Sequence, residues 1–111
     1  MLFRSTNHGG RQLDSCVAPM DVLPEIAAAV GKRLTVIIDG GFRRGTDVIK
    51  ALSLGAHAAM TGRATLYGLA AAGERGVERA LQILTTETDR VLGQLGCNSV
   101  ADLGPHLVRR I

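Results

Sequence analysis

The feature that most constrains the fold is an alternation of short apolar strands with amphipathic helices along the middle of the chain. Residues 34–38 are rich in valine and isoleucine, which is typical of a buried strand, and a turn follows at residues 39–41. Residues 46–54 carry apolar side chains on one helical face, and residues 57–61 form a second, shorter strand pattern. This order predicts strand–helix–strand units, a parallel sheet and an α/β fold.

Further helices are predicted on both sides of this unit. Residues 20–30 indicate a helix that contains Pro24, and residues 64–71 indicate a short helical turn. Residues 76–95 give the longest helix, because apolar side chains recur along one stripe, as in an outer helix packed on a sheet. Ser99 begins a capping-box pattern for a last short helix.

Length and composition bound the functional classes. The chain has 111 residues, which suits one domain over residues 1–111. The formal net charge is +3, but one Tyr and two Phe offer no platform for stacking bases, which argues against nucleic acid. Cys16 and Cys97 lack metal-ligand spacing and are interpreted as reduced thiols. With no apolar run of about 18 residues and no signal-peptide pattern, we expect a cytoplasmic chain without a membrane segment.

Glycine and arginine follow both predicted strands. The first strand ends at Asp39-Gly40-Gly41-Phe42-Arg43-Arg44-Gly45 and the second at Gly62-Arg63, and each segment leads into a helix. Glycine lets the backbone approach a ligand, a helix N-terminus favours an anion, and arginine adds a full positive charge. Because the carboxyl ends of parallel strands meet at one edge of a sheet, the pair of segments predicts a phosphate pocket.

A second candidate site lies near the N-terminus, in Asn7-His8-Gly9-Gly10-Arg11-Gln12-Leu13-Asp14. His8 can accept and release a proton near neutral pH. Arg11 presents a planar fork that binds a carboxylate at two points. A base and a carboxylate-binding cation are thus separated by two glycines. This pattern indicates a site that holds a carboxylate and removes a proton from the carbon or hydroxyl beside it.

This eight-residue segment resembles the active-site signature of the FMN-dependent α-hydroxy acid dehydrogenases and oxidases. The resemblance extends through residues 39–51 and 62–68, the family's two phosphate segments, and onward to about residue 103. Within the family, residues 62–76 and the ending near residues 96–97 resemble (S)-mandelate dehydrogenase most, and flavin-type L-lactate dehydrogenase is the alternative for the chain as a whole. The family fold is a TIM barrel of about 250 residues. The resemblance therefore implies a C-terminal fragment of that barrel, about the last two strand–helix units plus a terminal helix.

The resemblance also implies roles for individual residues. His8 would be the catalytic base and Arg11 would bind the carboxylate of a small 2-hydroxy acid, which is oxidised to a 2-oxo acid. FMN would be the cofactor, contacted mostly at its phosphate and ribityl chain by Asp39, Gly40, Gly41, Phe42, Arg43, Gly62 and Arg63. Because a carboxylate is unfavourable beside phosphate, Asp39 would instead meet a ribityl hydroxyl.

The first residues depart from the family pattern. Residues 1–6 stand where the family has a continuous apolar strand, and Arg4 and Ser5 are poor residues for such a buried position. This predicts that the strand before His8 is displaced or absent. A quarter of a barrel would also have open sheet edges, so we expect a homo-oligomer or another source of the missing strands. The isolated chain is expected to have no useful turnover.

Two other functions remain open at this level. One is a non-catalytic remnant that binds phosphate or flavin and associates with itself through its strand edges. The other is a different phosphate-binding TIM barrel, similar to IMP dehydrogenase or isopentenyl-diphosphate isomerase, although the segment around His8 and Arg11 speaks against it.

Overall fold

A computed structural model describes residues 1–109 of the chain. Three parallel strands form one sheet in the order β1 (Leu2–Ser5), β2 (Thr35–Asp39), β3 (Ala58–Met60). Three α-helices, α1 (Pro19–Val30), α2 (Gly45–Ser53) and α3 (Arg63–Gln94), connect or follow the strands. Short 3-10 helices lie at His8–Gly10, Val100–Asp102 and Pro105–Leu107. The predicted α/β fold with a parallel sheet is confirmed.

The core lies between β2 and the two helices that precede and follow it. Val36 and Ile38 of β2 are fully buried, together with Leu23 of α1 and Ala51 of α2. Ile37, whose side chain points to the opposite face of the sheet, is only half-buried. The helices therefore cover one face of the sheet and leave the other partly open.

The strand before His8 is present, so the prediction that it is displaced or absent was wrong. β1 pairs with β2 along its whole length, from Leu2 opposite Thr35 to Ser5 opposite Ile38. The prediction assumed an interior strand, whereas β1 is an edge strand of this sheet and Arg4 remains exposed on its uncovered face. Ser5 is 7% exposed, since its small side chain fits on the covered face.

The two helices predicted over residues 64–71 and 76–95 correspond to the two parts of α3. The backbone leaves helical geometry at Ala72 and at Gly73, where φ is +59° and favours glycine. The two parts then touch at Gly68 and Gly76. A Cβ on either glycine would overlap the backbone of the other, so the contact requires glycine at both positions. The bend therefore lies at Ala72 and Gly73, and glycine at both contact positions lets the two parts approach closely.

The packing of α3 differs from the prediction that it lies on the sheet. α3 contacts mainly α2, and none of its residues is buried. Leu81, a member of the predicted apolar stripe, is 48% exposed. Within residues 1–109, no helix is both long and apolar enough to cross a membrane.

Candidate functional site

The loops after the strands enclose a cavity of about 390 Å³. Since the three strands are parallel, their carboxyl ends lie at the same edge of the sheet, where this cavity opens. Apart from Arg11, every residue predicted for the site lines it, and Gly9 joins them. The lining residues are His8, Gly9, Asp39, Gly40, Gly41, Phe42, Arg43, Gly62 and Arg63.

The loop after β2 turns sharply at its two glycines. Gly40 has φ +139° and Gly41 has φ +79°, values that side-chain-bearing residues rarely adopt. A Cβ on Gly40 would lie 3.1 Å from Cγ of Pro19, whereas one on Gly41 would meet no atom within 4 Å. Gly40 therefore serves both the turn and the packing against α1, and Gly41 serves the turn.

Phe42 anchors this loop in the core. Its side chain is 4% exposed and joins the buried cluster around β2. Its carbonyl oxygen accepts a hydrogen bond from Oγ1 of Thr61, which follows β3, at 3.2 Å. Phe42 thus connects the ends of two strands, and the main part of its side chain packs into the protein.

Asp47 fixes the next part of the loop. Its Oδ2 accepts hydrogen bonds from the backbone N–H groups of Arg43 at 3.1 Å and Arg44 at 3.0 Å. Those two N–H groups are therefore committed to Asp47, so an anion in the cavity would be met by side chains and by other backbone groups. The exposed Arg43 is the cationic side chain that this loop gives to the cavity.

Glu87 of α3 contacts the same loop from its outer side, and sequence patterns did not point to it. Its carboxylate accepts hydrogen bonds from Nε of Arg44 at 2.9 and 3.0 Å and from the backbone N–H of Gly45 at 2.8 Å. The Arg44 guanidinium, followed by the Gly45 N–H, lowers the pKa of the Glu87 carboxyl from its ordinary value. The same bond raises the pKa of Arg44.

The segment after β3 contributes Gly62 and Arg63. Gly62 precedes α3, and its carbonyl oxygen accepts hydrogen bonds from the backbone and the hydroxyl of Thr65 at 3.1 and 2.8 Å. Arg63 is the first residue of α3, so its exposed guanidinium lies beside a helix N-terminus, where anions are favoured. Arg43 and Arg63 therefore bring two cations to one cavity.

His8 lies in a turn that two neighbouring residues support. Oδ1 of Asn7 accepts from the Gly9 N–H at 2.9 Å, and Nδ2 of Asn7 donates to the Val17 carbonyl at 3.1 Å. This turn holds His8 at φ +52°, which is uncommon for a residue with a side chain. In the part of the chain that the structure describes, the exposed His8 ring has no hydrogen-bond partner.

Thr6 connects this turn to the end of β2. Its hydroxyl donates to Oδ2 of Asp39 at 3.2 Å, and its oxygen accepts from the His8 backbone N–H at 3.1 Å. Neither Thr6 nor Asn7 was predicted as part of the site, although an asparagine before a glycine turn is a recognisable signal. One oxygen of the Asp39 carboxylate is thus already engaged by the protein.

Arg11 does not line the cavity. Gly9 and Gly10 have φ +70° and +76°, and the chain then runs through an exposed segment from residue 11 to residue 18. The structure brings His8 together with the loops after β2 and β3 in one cavity and leaves Arg11 outside it.

Residues 5–110 match the family of FMN-dependent dehydrogenases. The chain belongs to the FMN-dependent dehydrogenase family. Among similar proteins is the (S)-mandelate dehydrogenase of Pseudomonas putida, 55% identical over 100 residues that cover 90% of this chain and 25% of that protein. The pre-mycofactocin synthase of Mycobacterium tuberculosis is 53% identical over 100 residues, with the same two coverages.

A solved structure of the monotopic membrane protein (S)-mandelate dehydrogenase superposes on this member of the family with a TM-score of 0.92 at 50% identity. The match covers 97% of this chain and 28% of that one. The chain thus spans about a quarter of the length of the curated relatives it matches. The family resemblance stated from the sequence, including its likeness to mandelate dehydrogenase, is confirmed.

Proposed function

We propose that this chain supplies the cofactor-phosphate side and the catalytic base of an enzyme that oxidises a 2-hydroxy acid to a 2-oxo acid with FMN. The observation that carries the proposal is the cavity at the carboxyl edge of the sheet, where His8 meets Arg43 and Arg63. We further propose that the three strands are the C-terminal part of a TIM barrel. The likeness of nearly the whole chain to about a quarter of a mandelate dehydrogenase supports this.

The cavity residues fit the phosphate end of FMN. Arg43 and Arg63, together with the N-terminus of α3, lie at neighbouring strand ends, where they would meet a phosphate. Gly41 leaves open space where a side chain would otherwise stand. Asp39, with one oxygen held by Thr6, can accept from a ribityl hydroxyl with the other. FMN, when bound, supplies the acceptor for the two electrons that leave the substrate.

His8 would act as the base. Oxidation of a 2-hydroxy acid removes two electrons and two protons from its C2–OH unit, and the imidazole of His8 can accept one of those protons. The Asn7 and Thr6 contacts hold the backbone of His8, so its ring is directed from a fixed turn. Arg11 would bind the substrate carboxylate, and in this structure it lies in the exposed segment of residues 11–18, outside the cavity.

A non-catalytic phosphate or flavin binder is the second candidate. The family match does not favour it, but two features of the site agree with it: the exposed His8 ring has no partner in residues 1–109, and Arg11 lies outside the cavity. Both features support the expectation that the 111-residue chain alone has no useful turnover.

The test is an FMN titration of the 111-residue chain, followed by flavin fluorescence, with Arg63→Met and the matched control Arg75→Met on the exposed part of α3. We expect saturable binding that weakens about tenfold or more in Arg63→Met and is unchanged in Arg75→Met. Equal binding by all three proteins, or none by the wild type, would contradict the proposed cofactor site.

Catalysis is tested separately, by anaerobic bleaching of bound flavin on addition of mandelate, lactate or glycolate. Slow bleaching that His8→Gln abolishes would support the enzyme, since glutamine keeps the size of the side chain and removes the base. FMN binding without bleaching by any of the three acids would agree with the expectation that the 111-residue chain alone has no useful turnover.

A further inference from the structure

The loop after β2 carries two consecutive arginines, and their side chains have different surroundings. Arg43 lines the cavity. Arg44 instead turns toward α3, where its Nε donates to both oxygens of Glu87 at 2.9 and 3.0 Å. Neither Arg44 nor Glu87 lines the cavity. One guanidinium is therefore available to an anion, while the charge of its neighbour is compensated by a carboxylate.

Glu87 also holds the backbone of the loop. Its Oε2 accepts from the Gly45 N–H at 2.8 Å, at the first residue of α2. Gly45 is buried, and a Cβ there would lie 2.6 Å from the backbone carbon of Glu87. The N-terminus of α2 is thus in direct contact with α3 at the point where Glu87 binds it.

Asp47, which belongs to α2, holds the part of the loop that precedes Gly45. It accepts from the N–H groups of Arg43 and Arg44, immediately before Gly45. Three successive backbone N–H groups, those of Arg43, Arg44 and Gly45, are therefore held by two carboxylates from different helices. The N–H groups of Arg43 and Arg44 flank the Cα of Arg43, so Asp47 restrains the point where the Arg43 side chain begins. Glu87 restrains the next peptide group, between Arg44 and Gly45, and so holds the same loop one residue further on.

We propose that Glu87 is a positioning residue for the anion site. It binds Arg44 and Gly45, which keeps Arg44 out of the cavity and fixes the loop so that Arg43 meets the phosphate together with Arg63. This inference rests on the proposed FMN function. It assigns the phosphate of the cofactor to Arg43 and excludes Arg44, although the two residues are adjacent and have the same charge.

The experiment compares FMN affinity and its salt dependence in Arg43→Met, Arg44→Met and Glu87→Gln, with Glu78→Gln on an exposed turn of α3 as the control. Arg43→Met is expected to weaken FMN about tenfold or more and to flatten the salt dependence, since a direct ion contact is lost. Arg44→Met and Glu87→Gln are expected to weaken FMN about two- to fivefold with the salt dependence kept.

The double variant Arg44→Met/Glu87→Gln gives the coupling between the two residues. We expect its FMN affinity to equal that of the single variant with the lower affinity, since both changes remove the same contact. Riboflavin, which lacks the phosphate, should bind each variant as it binds the wild type. Glu78→Gln should match the wild type for both ligands.

Three outcomes would overturn the inference. Arg44→Met could flatten the salt dependence as much as Arg43→Met, which would make Arg44 a direct ligand. Glu87→Gln could lower the melting temperature without changing FMN affinity, which would leave only a structural role. Additive losses in the double variant would show that the two residues act separately.

A wild-type chain that binds no FMN would defeat the proposed function, and amide hydrogen exchange would then decide the loop restraint on its own. We expect faster exchange at residues 43–45 in Glu87→Gln than in Glu78→Gln. Equal exchange rates in the two variants would overturn the positioning role of Glu87.

Discussion

The loop after β2 and the loop after β1 face the same cavity, yet they are held in very different ways. The first is anchored by the buried Phe42 and by carboxylates from α2 and α3. The second is held at its start by Thr6 and Asn7 and is then exposed from residue 11 to residue 18. The loop after β2 is therefore held at several points, whereas the segment that carries Arg11 is exposed and lies outside the cavity.

This difference bears on what each side could do. A preformed anion site binds without a large ordering cost, while each residue that becomes fixed on binding costs about 1–2 kcal/mol of backbone entropy. Cofactor binding can therefore persist where substrate binding is weak. We therefore expect this chain to bind FMN more readily than it binds a hydroxy acid.

The largest effect is expected from the anchor of the first loop. Phe42→Ala should lower the free energy of unfolding by about 3–5 kcal/mol, because it removes a ring from the cluster around β2. Phe3→Ala on the edge strand, where the ring is 37% exposed, is the matched control and should cost clearly less. Urea unfolding followed by circular dichroism measures both; similar losses would show that Phe42 is no special anchor.

A smaller loss is expected where α2 meets α3. Gly45→Ala should destabilise by about 1–3 kcal/mol, because the added methyl would press on the backbone of Glu87. Gly93→Ala places the same methyl on α3 where it would meet nothing, and should stabilise by about 0.5–1 kcal/mol. If Gly45→Ala were neutral in the same unfolding assay, the two helices could not be as close as described.

These features differ in how far a sequence reveals them. Gly40, Gly41 and Arg43 were predictable, since glycine and arginine at the end of a buried strand carry a local signal for a turn and an anion. The contact of Glu87 with Arg44 joins residues 43 positions apart, and nothing local marks this glutamate among the others on α3. The residues that line the cavity from this loop could thus be predicted, and the side chains that hold the loop from another helix could not.

The error at β1 has a similar cause. Arg4 and Ser5 were judged against an interior strand, but burial depends on the neighbours of a strand, and β1 has β2 on one side only among the described residues. The position of Arg11 outside the cavity likewise depends on the backbone angles of Gly9 and Gly10. Glycine allows many such angles, so the sequence does not fix them. Local chemistry was predictable; exposure was set by long-range packing.

The support of the second loop can be tested at Asn7. Asn7→Ala removes the acceptor for the Gly9 N–H and the donor to Val17, and should cost about 1 kcal/mol in urea unfolding. Asn7→Asp keeps the acceptor and loses the donor, so it should fall between Asn7→Ala and the wild type. Hydrogen exchange at Gly9 should rise most in Asn7→Ala. An unchanged rate there would mean that the turn around His8 does not depend on Asn7.

The smallest effect is a pH dependence at the contact between the first loop and α3. The pKa of Glu87 is lower in the folded chain than its ordinary value, because Arg44 and the Gly45 N–H favour the carboxylate. The folded state therefore binds this proton less readily than the unfolded state does. The resulting stabilisation is present above the ordinary pKa of glutamate and is lost as the pH falls through the lowered value.

Unfolding in urea from neutral pH into the acid range would detect this loss. Arg44 stays charged throughout, since its own pKa is raised, so the change with pH follows the carboxylate. Glu87→Gln should begin less stable at neutral pH and lose less on acidification, whereas Glu78→Gln should follow the wild type. Parallel acid profiles for Glu87→Gln and the wild type would mean that the bond to Arg44 does not stabilise the fold, and the contrast between the two loops would then rest on Phe42 and Asp47 alone.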